Sequence, residues 1–128
     1  MLESLQAYHD WGLLALRVVV AIIFIYHAWP KLKMPEAMAQ GMNWSKGAVR
    51  LLGLVEMLGA LGVGLGINTQ WAALLLGLVM IGAIKYKFLK WHTPFSAHDK
   101  MGWEFDLILL ASALFILLHG AGEFALGM

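Results

Sequence analysis

The sequence predicts an all-α fold: a polytopic membrane protein built as an antiparallel bundle of four transmembrane helices, in a single domain covering 1–128. Hydrophobic residues make up 61% of the chain and charged residues only 13%, outside the range of soluble globular proteins. The apolar residues fall in four segments, each near the roughly 20 residues that cross a hydrocarbon core of about 30 Å. The segments do not alternate apolar and polar residues as the strands of a membrane barrel do, so helices are predicted.

The four predicted helices cover approximately residues 11–29, 48–67, 71–89 and 104–120. Pro30 is expected to kink the first helix or to end it early, because proline lacks the helical N–H donor. Only Asn68, Thr69 and Gln70 separate the second helix from the third, which predicts a tight antiparallel hairpin. The other two connections are longer and polar. The first apolar segment lacks the features of a cleaved signal peptide, so we expect it to remain in the mature protein.

Basic residues predict the orientation of the bundle. An up-and-down path puts both long connections on one membrane face, and eight of the nine basic residues lie there, with Arg17 alone on the other face. The positive-inside rule then places both long connections in the cytoplasm and both termini on the non-cytoplasmic side. Tryptophans at the segment ends support the boundaries, since indole rings favour the headgroup level.

Charge and composition exclude several classes of function. The net charge of +1 and the lack of a basic run interleaved with aromatics argue against a nucleic-acid partner. The chain has no cysteine, so it has no disulfides, thiolate zinc sites or Cys-ligated iron–sulfur clusters of its own. Redox chemistry would therefore require a bound cofactor or a partner subunit. His92 and His98 share a polar connection, but they lack a recognised ligand spacing, and no metal site is predicted.

Five ionisable side chains lie within or at the mouths of the apolar helices: Arg17, His27, Lys31, Glu56 and Glu104. A charge is costly there, so such residues mark a functional site by default. Arg17 lies roughly 9 Å from the non-cytoplasmic end of the first helix, and Glu56 roughly 12 Å from the cytoplasmic end of the second. Their depths in the membrane are close enough for the two side chains to pair directly or through one water. Two interpretations stay open, an ion pair that sets helix register and a polar pocket for a headgroup or a proton.

A second group of polar residues is predicted at the cytoplasmic mouth of the bundle. His27 and Lys31 are one helical turn apart near the end of the first helix, and Glu104 begins the last helix at the same level. A lone histidine at such a place is most often structural, but its two charged neighbours favour a binding role. Nearby, Lys85, Lys87 and Lys90 are interpreted only as anchors that reach the membrane surface.

These residues occur in motifs that resemble the DoxX family of small bacterial and archaeal membrane proteins. The family has an Arg early in the first helix and then a His-Gly-x-x-Lys motif, seen here as residues 27–31 with Ala28 in place of the usual Gly. A Gly-x-x-Glu motif matches Gly53 to Glu56, and a Gly-Trp-Glu start of the last helix matches residues 102–104. The resemblance covers approximately residues 16–124.

The resemblance implies a multi-pass protein of the bacterial or archaeal cytoplasmic (inner) membrane, related to subunits of quinone-linked oxidoreductases. It implies an accessory or quinone-interacting subunit that works with a partner subunit or as a homo-oligomer, with Arg17, His27, Lys31, Glu56 and Glu104 as cofactor-binding residues. A quinone suits such a pocket, because its ring is apolar and its carbonyl oxygens accept hydrogen bonds. Two other classes remain, a carrier or channel-like protein and a structural scaffold held by its ion pairs.

Overall fold

A computed structural model describes residues 2–127, and in this range it contains helices and no strand. The all-α prediction is therefore confirmed. A short 3-10 helix leads into five α-helices, whose bounds are: 3-10 helix Leu2–Tyr8, α1 His9–Lys33, α2 Glu36–Met42, α3 Lys46–Leu65, α4 Thr69–Leu89 and α5 Trp103–His119.

The helices begin and end where the local sequence allows it. Ser45 caps the start of α3, since its hydroxyl oxygen accepts a hydrogen bond of 3.1 Å from the Ala48 N–H. At the other end, Gly66 takes the left-handed conformation with a φ of 75°. Asn68, also left-handed, is the N-cap residue that precedes α4. The predicted tight turn between these helices is therefore made by residues 66–68.

The expectation that Pro30 kinks or ends the first helix early is wrong about the end, because α1 continues to Lys33. Proline removes only one hydrogen bond from the helix, and Pro30 lies in the last turn with an exposed ring. The Pro30 carbonyl itself accepts a 2.7 Å bond from the Met34 N–H. This extra turn puts Lys31 inside the helix, where its side chain faces α3. The first long connection also contains the short helix α2, which the sequence analysis did not predict.

Contacts join the end of each long helix to the early part of the next one: Lys31 of α1 lies against Gly53 of α3, Gly62 of α3 against Ala72 of α4, and Lys87 of α4 against Asp106 of α5. α1 packs along α3 and α4 along α5, α3 and α4 contact each other over a shorter length, and α1 and α5 touch at few positions. One apolar cluster draws residues from all four long helices, including Val20, Phe24, Ala60, Leu76 and Ile116, which are all buried.

Glycines allow α3 to approach both neighbours closely. A Cβ atom on Gly53 would lie 2.8 Å from the Lys31 Cβ on α1, and one on Gly59 would lie 2.7 Å from a Leu76 methyl group on α4. Real Cβ contacts are not this short, so larger residues would separate the helices. The glycines of α3 therefore permit close helix packing on both of its sides.

Three segments are long and apolar enough to cross a membrane: Leu2–Lys33, Lys46–Leu65 and Thr69–Leu89. α5, with 17 residues, is shorter. Its outward side is nevertheless apolar, since Ile108, Leu114, Phe115 and Leu118 are all exposed. Exposed large apolar side chains in this number suit a lipid environment rather than water.

Candidate functional site

A cavity of about 540 Å³ lies at the end of the molecule where α1 and α4 finish and α3 and α5 begin. All five α-helices contribute to its wall, and the two long connections add Trp44, Trp91 and Met101. Most of its surface is apolar. The polar residues of the wall are two acid and base pairs, one histidine and a tyrosine: Lys31, Glu56, Lys87, Asp106, His27 and Tyr86.

The first pair joins α1 to α3. Lys31 Nζ donates a hydrogen bond of 2.5 Å to Glu56 Oε2, and both side chains are buried. Glu56 points into the molecule because it lies on the same face of α3 as Gly53 and Ala60, which are buried against neighbouring helices. The small Gly53 lets the α1 backbone come close enough for the lysine stem to lie across α3.

The second pair joins α4 to α5. Lys87 Nζ lies 2.7 Å from Asp106 Oδ2, and the aspartate is buried in the first turn of α5. Within residues 2–127, Oδ2 has no partner in hydrogen-bonding geometry, so its contact with the ammonium group is mainly Coulombic. Each acidic residue of the cavity therefore has a neighbouring lysine, and the two pairs together carry no net charge.

Among the polar wall residues, His27 has neither a hydrogen bond nor an ion pair with another residue of the described chain. Its ring is half-buried one turn before Lys31 on α1, and its centroid lies 5.5 Å from those of Phe105 and Tyr26. The imidazole nitrogens, one donor and one acceptor in the neutral ring, are therefore available to a ligand in the cavity.

Arg17 is not part of this cavity, and of the two interpretations of Arg17 and Glu56, the ion pair is wrong because Glu56 pairs with Lys31. The Arg17 guanidinium lies at the opposite end of the molecule and donates four hydrogen bonds to backbone carbonyls. The acceptors are Val63 at 2.9 Å, Gly64 at 3.1 Å, Ala121 at 2.9 Å and Phe124 at 2.6 Å. Two of these carbonyls belong to the last turn of α3 and two to the segment that follows α5. Arg17 thus joins the C-terminal segment to the bundle.

Glu104 is also placed apart from the cavity. It begins α5 as predicted, but its side chain is exposed and does not line the cavity wall. Asp106, two residues later, faces inward instead. Successive helical residues are rotated by about 100°, so two positions are enough to move a side chain to a different face. Of the five residues predicted from the sequence, the structure brings together His27, Lys31 and Glu56.

Sequence reasoning missed Asp106 and interpreted Lys87 only as a surface anchor. A signal for the pair was present, because an antiparallel arrangement puts the last turn of α4 beside the first turn of α5. A lysine and an aspartate at those two ends are therefore neighbours in depth. Choosing Asp106 over Glu104 required the rotation of α5 about its axis, which depends on the packing of the whole molecule.

The model of the DoxX family matches residues 12–99 of this chain, which is more than half of its length. Two relatives match over most of their length. A protein of Haemophilus influenzae named "Uncharacterized protein" is 35% identical over 130 residues, covering 98% of this chain and 95% of that protein. A protein of Bacillus subtilis named "Putative oxidoreductase CatD" is 30% identical over 118 residues, covering 90% of this chain and 84% of that protein. No solved structure gives a significant match.

Proposed function

Since this chain is a membrane protein that belongs to the DoxX family, we propose that it is a quinone-interacting accessory subunit of an oxidoreductase. The observation that supports this most directly is the cavity, which combines an apolar wall with the free imidazole of His27 and two neutralised ion pairs. The name of the Bacillus subtilis relative points to the same class of activity.

The residues of the cavity fit a quinone. Its volume of about 540 Å³ falls within the range of small-molecule sites. Phe24 and Phe105 supply aromatic surface for a flat ring. Because the two ion pairs cancel, the wall offers no net charge, which suits a neutral ligand better than an ion.

Within this site His27 would donate a hydrogen bond to a quinone carbonyl oxygen, and it can also exchange a proton there. Lys31 and Lys87 also line the cavity and can turn further N–H donors into it, because an ammonium group has three and each lysine has one carboxylate partner. When bound, the quinone would supply two-electron redox chemistry. We assign electron delivery to a partner subunit, since a chain without cysteine holds no iron–sulfur cluster of its own.

Substitutions on α1 and α5 test the site. We expect His27→Ala and Asp106→Asn each to weaken quinone binding at least about tenfold, a loss of roughly 1.4 kcal/mol. His27→Ala removes a hydrogen-bond donor, and Asp106→Asn removes the carboxylate that holds Lys87 in position. Glu104→Gln is the matched comparison, an exposed acid two residues from Asp106 on the same helix. It should bind like the unaltered protein. Quinone titration of detergent-purified protein measures the affinities, and thermal unfolding shows whether each variant is folded.

Three other results would each contradict part of the proposal. If the folded unaltered protein binds no benzoquinone or naphthoquinone, the quinone function fails. Ion or solute flux in liposomes would then support a carrier, and its absence a scaffold. If Glu104→Gln weakens binding as strongly as Asp106→Asn, the site includes Glu104 as the sequence analysis predicted. If neither His27→Ala nor Asp106→Asn changes the affinity, the quinone binds outside this cavity.

We further propose that α5 crosses the membrane as a fourth span, which completes an antiparallel four-helix bundle. Its 17 residues extend about 25 Å, and it packs along α4 over most of this length. Its exposed side is apolar, as a surface in contact with lipid requires. An even number of spans returns the C-terminus to the side of the N-terminus.

Reporter fusions test this topology. Tags at both termini should report the non-cytoplasmic side of the inner membrane, and a reporter inserted near Gly41 should report the cytoplasm, because eight of the nine basic residues lie on that face. Termini found on opposite sides would refute the fourth span. Reversal at all three positions would keep the four spans and refute only the orientation.

A further inference from the structure

The cavity extends from the buried ion pair to the outer surface of the helices. Glu56, which is 1% exposed, and Leu78, which is 56% exposed, line the same space. Gly82, one turn after Leu78 on α4, is exposed as well and also belongs to the wall. A ligand at Glu56 is therefore connected to the outside of the bundle along α4.

The cavity is exposed at its loop end, where Trp44, Trp91 and Met101 lie, and also along the side of α4. This side opening lies between α4 and α3 rather than between α4 and α5. On α4, a Cβ at Gly77 would meet Ala113 and Leu110 of α5, which places that side of the helix against α5. Gly82 is five positions further, so it is rotated by about 140° from Gly77. The next residue on its side is Tyr86, whose hydroxyl donates a 2.6 Å bond to the Met42 carbonyl, just before α3 begins.

Contacts between the helices close this opening between α3 and α4 at both of its ends along the helix axes. At one end Gly59 and Leu76 are in close contact, as are Gly62 and Ala72 beyond them. At the other end the Tyr86 hydrogen bond joins α4 to the C-terminus of α2. Leu76 and Tyr86 are ten residues apart, or about 15 Å along the helix axis. The opening is thus a bounded window at the depth of the apolar helices, and it faces sideways.

We infer that this window, bordered by Leu52, Leu78 and Gly82, is the passage through which the hydrocarbon tail of a lipid-soluble quinone leaves the cavity and enters the bilayer. The inference rests on the proposed function, and it adds the type of quinone and its orientation. The head lies at His27 and the two ion pairs, and the tail lies across α4. The residues that border the window are apolar, as contact with a hydrocarbon tail requires.

Gly82 allows a direct test, because a Cβ at this position would have nothing within 4 Å. A phenylalanine there is accommodated by the backbone and fills the window. Gly12 of α1 is the matched control. It is also an exposed helical glycine with nothing within 4 Å, and it lies away from the cavity wall. In both cases the replaced glycine has poor helix propensity, so neither variant should lose stability.

The probes are methylated benzoquinone and naphthoquinone head groups, each with and without a long isoprenoid chain, titrated into purified protein in detergent. We expect Gly82→Phe to weaken binding of the tailed quinone at least about tenfold and to leave binding of the tail-less head group within about twofold of the unaltered protein. Gly12→Phe should change neither affinity.

The possible failures are distinguishable. If the unaltered protein binds neither form of quinone, the proposed function itself fails. If it binds both and Gly82→Phe weakens neither, the tail takes another path and only the window inference is overturned. If Gly82→Phe weakens tailed and tail-less quinone equally, the window admits the head group and is not a tail passage, which also overturns the inference while the quinone function stands.

Discussion

Replacing Arg17 by leucine is expected to destabilise the protein by at least about 3 kcal/mol and to release the segment that follows α5. The guanidinium donates to four carbonyls, two in α3 and two in residues 121–124, and the substitution leaves all four without their donor. Arg17→Lys should recover little of this, since a single ammonium lacks the planar fork that reaches several acceptors at once. Thermal unfolding of purified protein measures the loss of stability.

Hydrogen exchange provides a local measurement for the same substitution. The Leu126 and Gly127 amides donate to the Leu65 and Gly66 carbonyls beside Arg17, and we expect both to lose protection in Arg17→Leu. Arg50→Leu is the control, an exposed arginine on α3 whose loss should change neither stability nor exchange by much. Unchanged protection at these two amides in Arg17→Leu would show that Arg17 does not hold the C-terminal segment.

Glu56→Leu is expected to cost about 3–5 kcal/mol, because it leaves the ammonium of Lys31 buried without a counter-charge. Glu56→Gln should cost less, since the amide oxygen still accepts from Lys31. The double variant Lys31→Met/Glu56→Leu should recover most of the loss by replacing the pair with apolar side chains. A double-mutant cycle on unfolding free energies measures the coupling between the two residues.

The pair Glu36 and Lys46 provides the control for that cycle. Its atoms are 3.8 Å apart and both side chains are more than half exposed, so Glu36→Leu should change stability by no more than about 0.5 kcal/mol. A second cycle with Arg17→Leu and Glu56→Leu should show additive effects. Recovery of stability in Arg17→Leu/Glu56→Leu and not in Lys31→Met/Glu56→Leu would support an ion pair between Arg17 and Glu56 and contradict the structure.

The error about Lys31 follows from the expectation about Pro30. A first helix that ends near Trp29 places Lys31 after the helix, at the mouth of the bundle and at the same level as Glu104. Because α1 continues to Lys33, the side chain of Lys31 lies against Gly53 and reaches Glu56. One additional helical turn thus changed the partner of a charged residue.

The error about Arg17 has a different origin. A buried charge was expected to require a charge of opposite sign, and Glu56 was the acid at a compatible depth. The carbonyls at the C-terminal end of a helix carry partial negative charge and lack helical partners, so they can take the place of a carboxylate. That the chain after α5 folds back to add two more carbonyls is not visible in the sequence, because residues 120–127 carry no strong pattern.

The sequence by itself determined the helical class, the approximate helix positions, the membrane character and the DoxX family, because apolar periodicity, segment length and short motifs are local properties of the chain. It also identified His27, Lys31 and Glu56, since ionisable residues in apolar helices are conspicuous. Only the tertiary structure decided which charges meet, put Asp106 rather than Glu104 in the cavity, and opened the window beside Gly82. These features depend on the rotation and depth of each helix relative to its neighbours, which side-chain packing sets over the whole molecule.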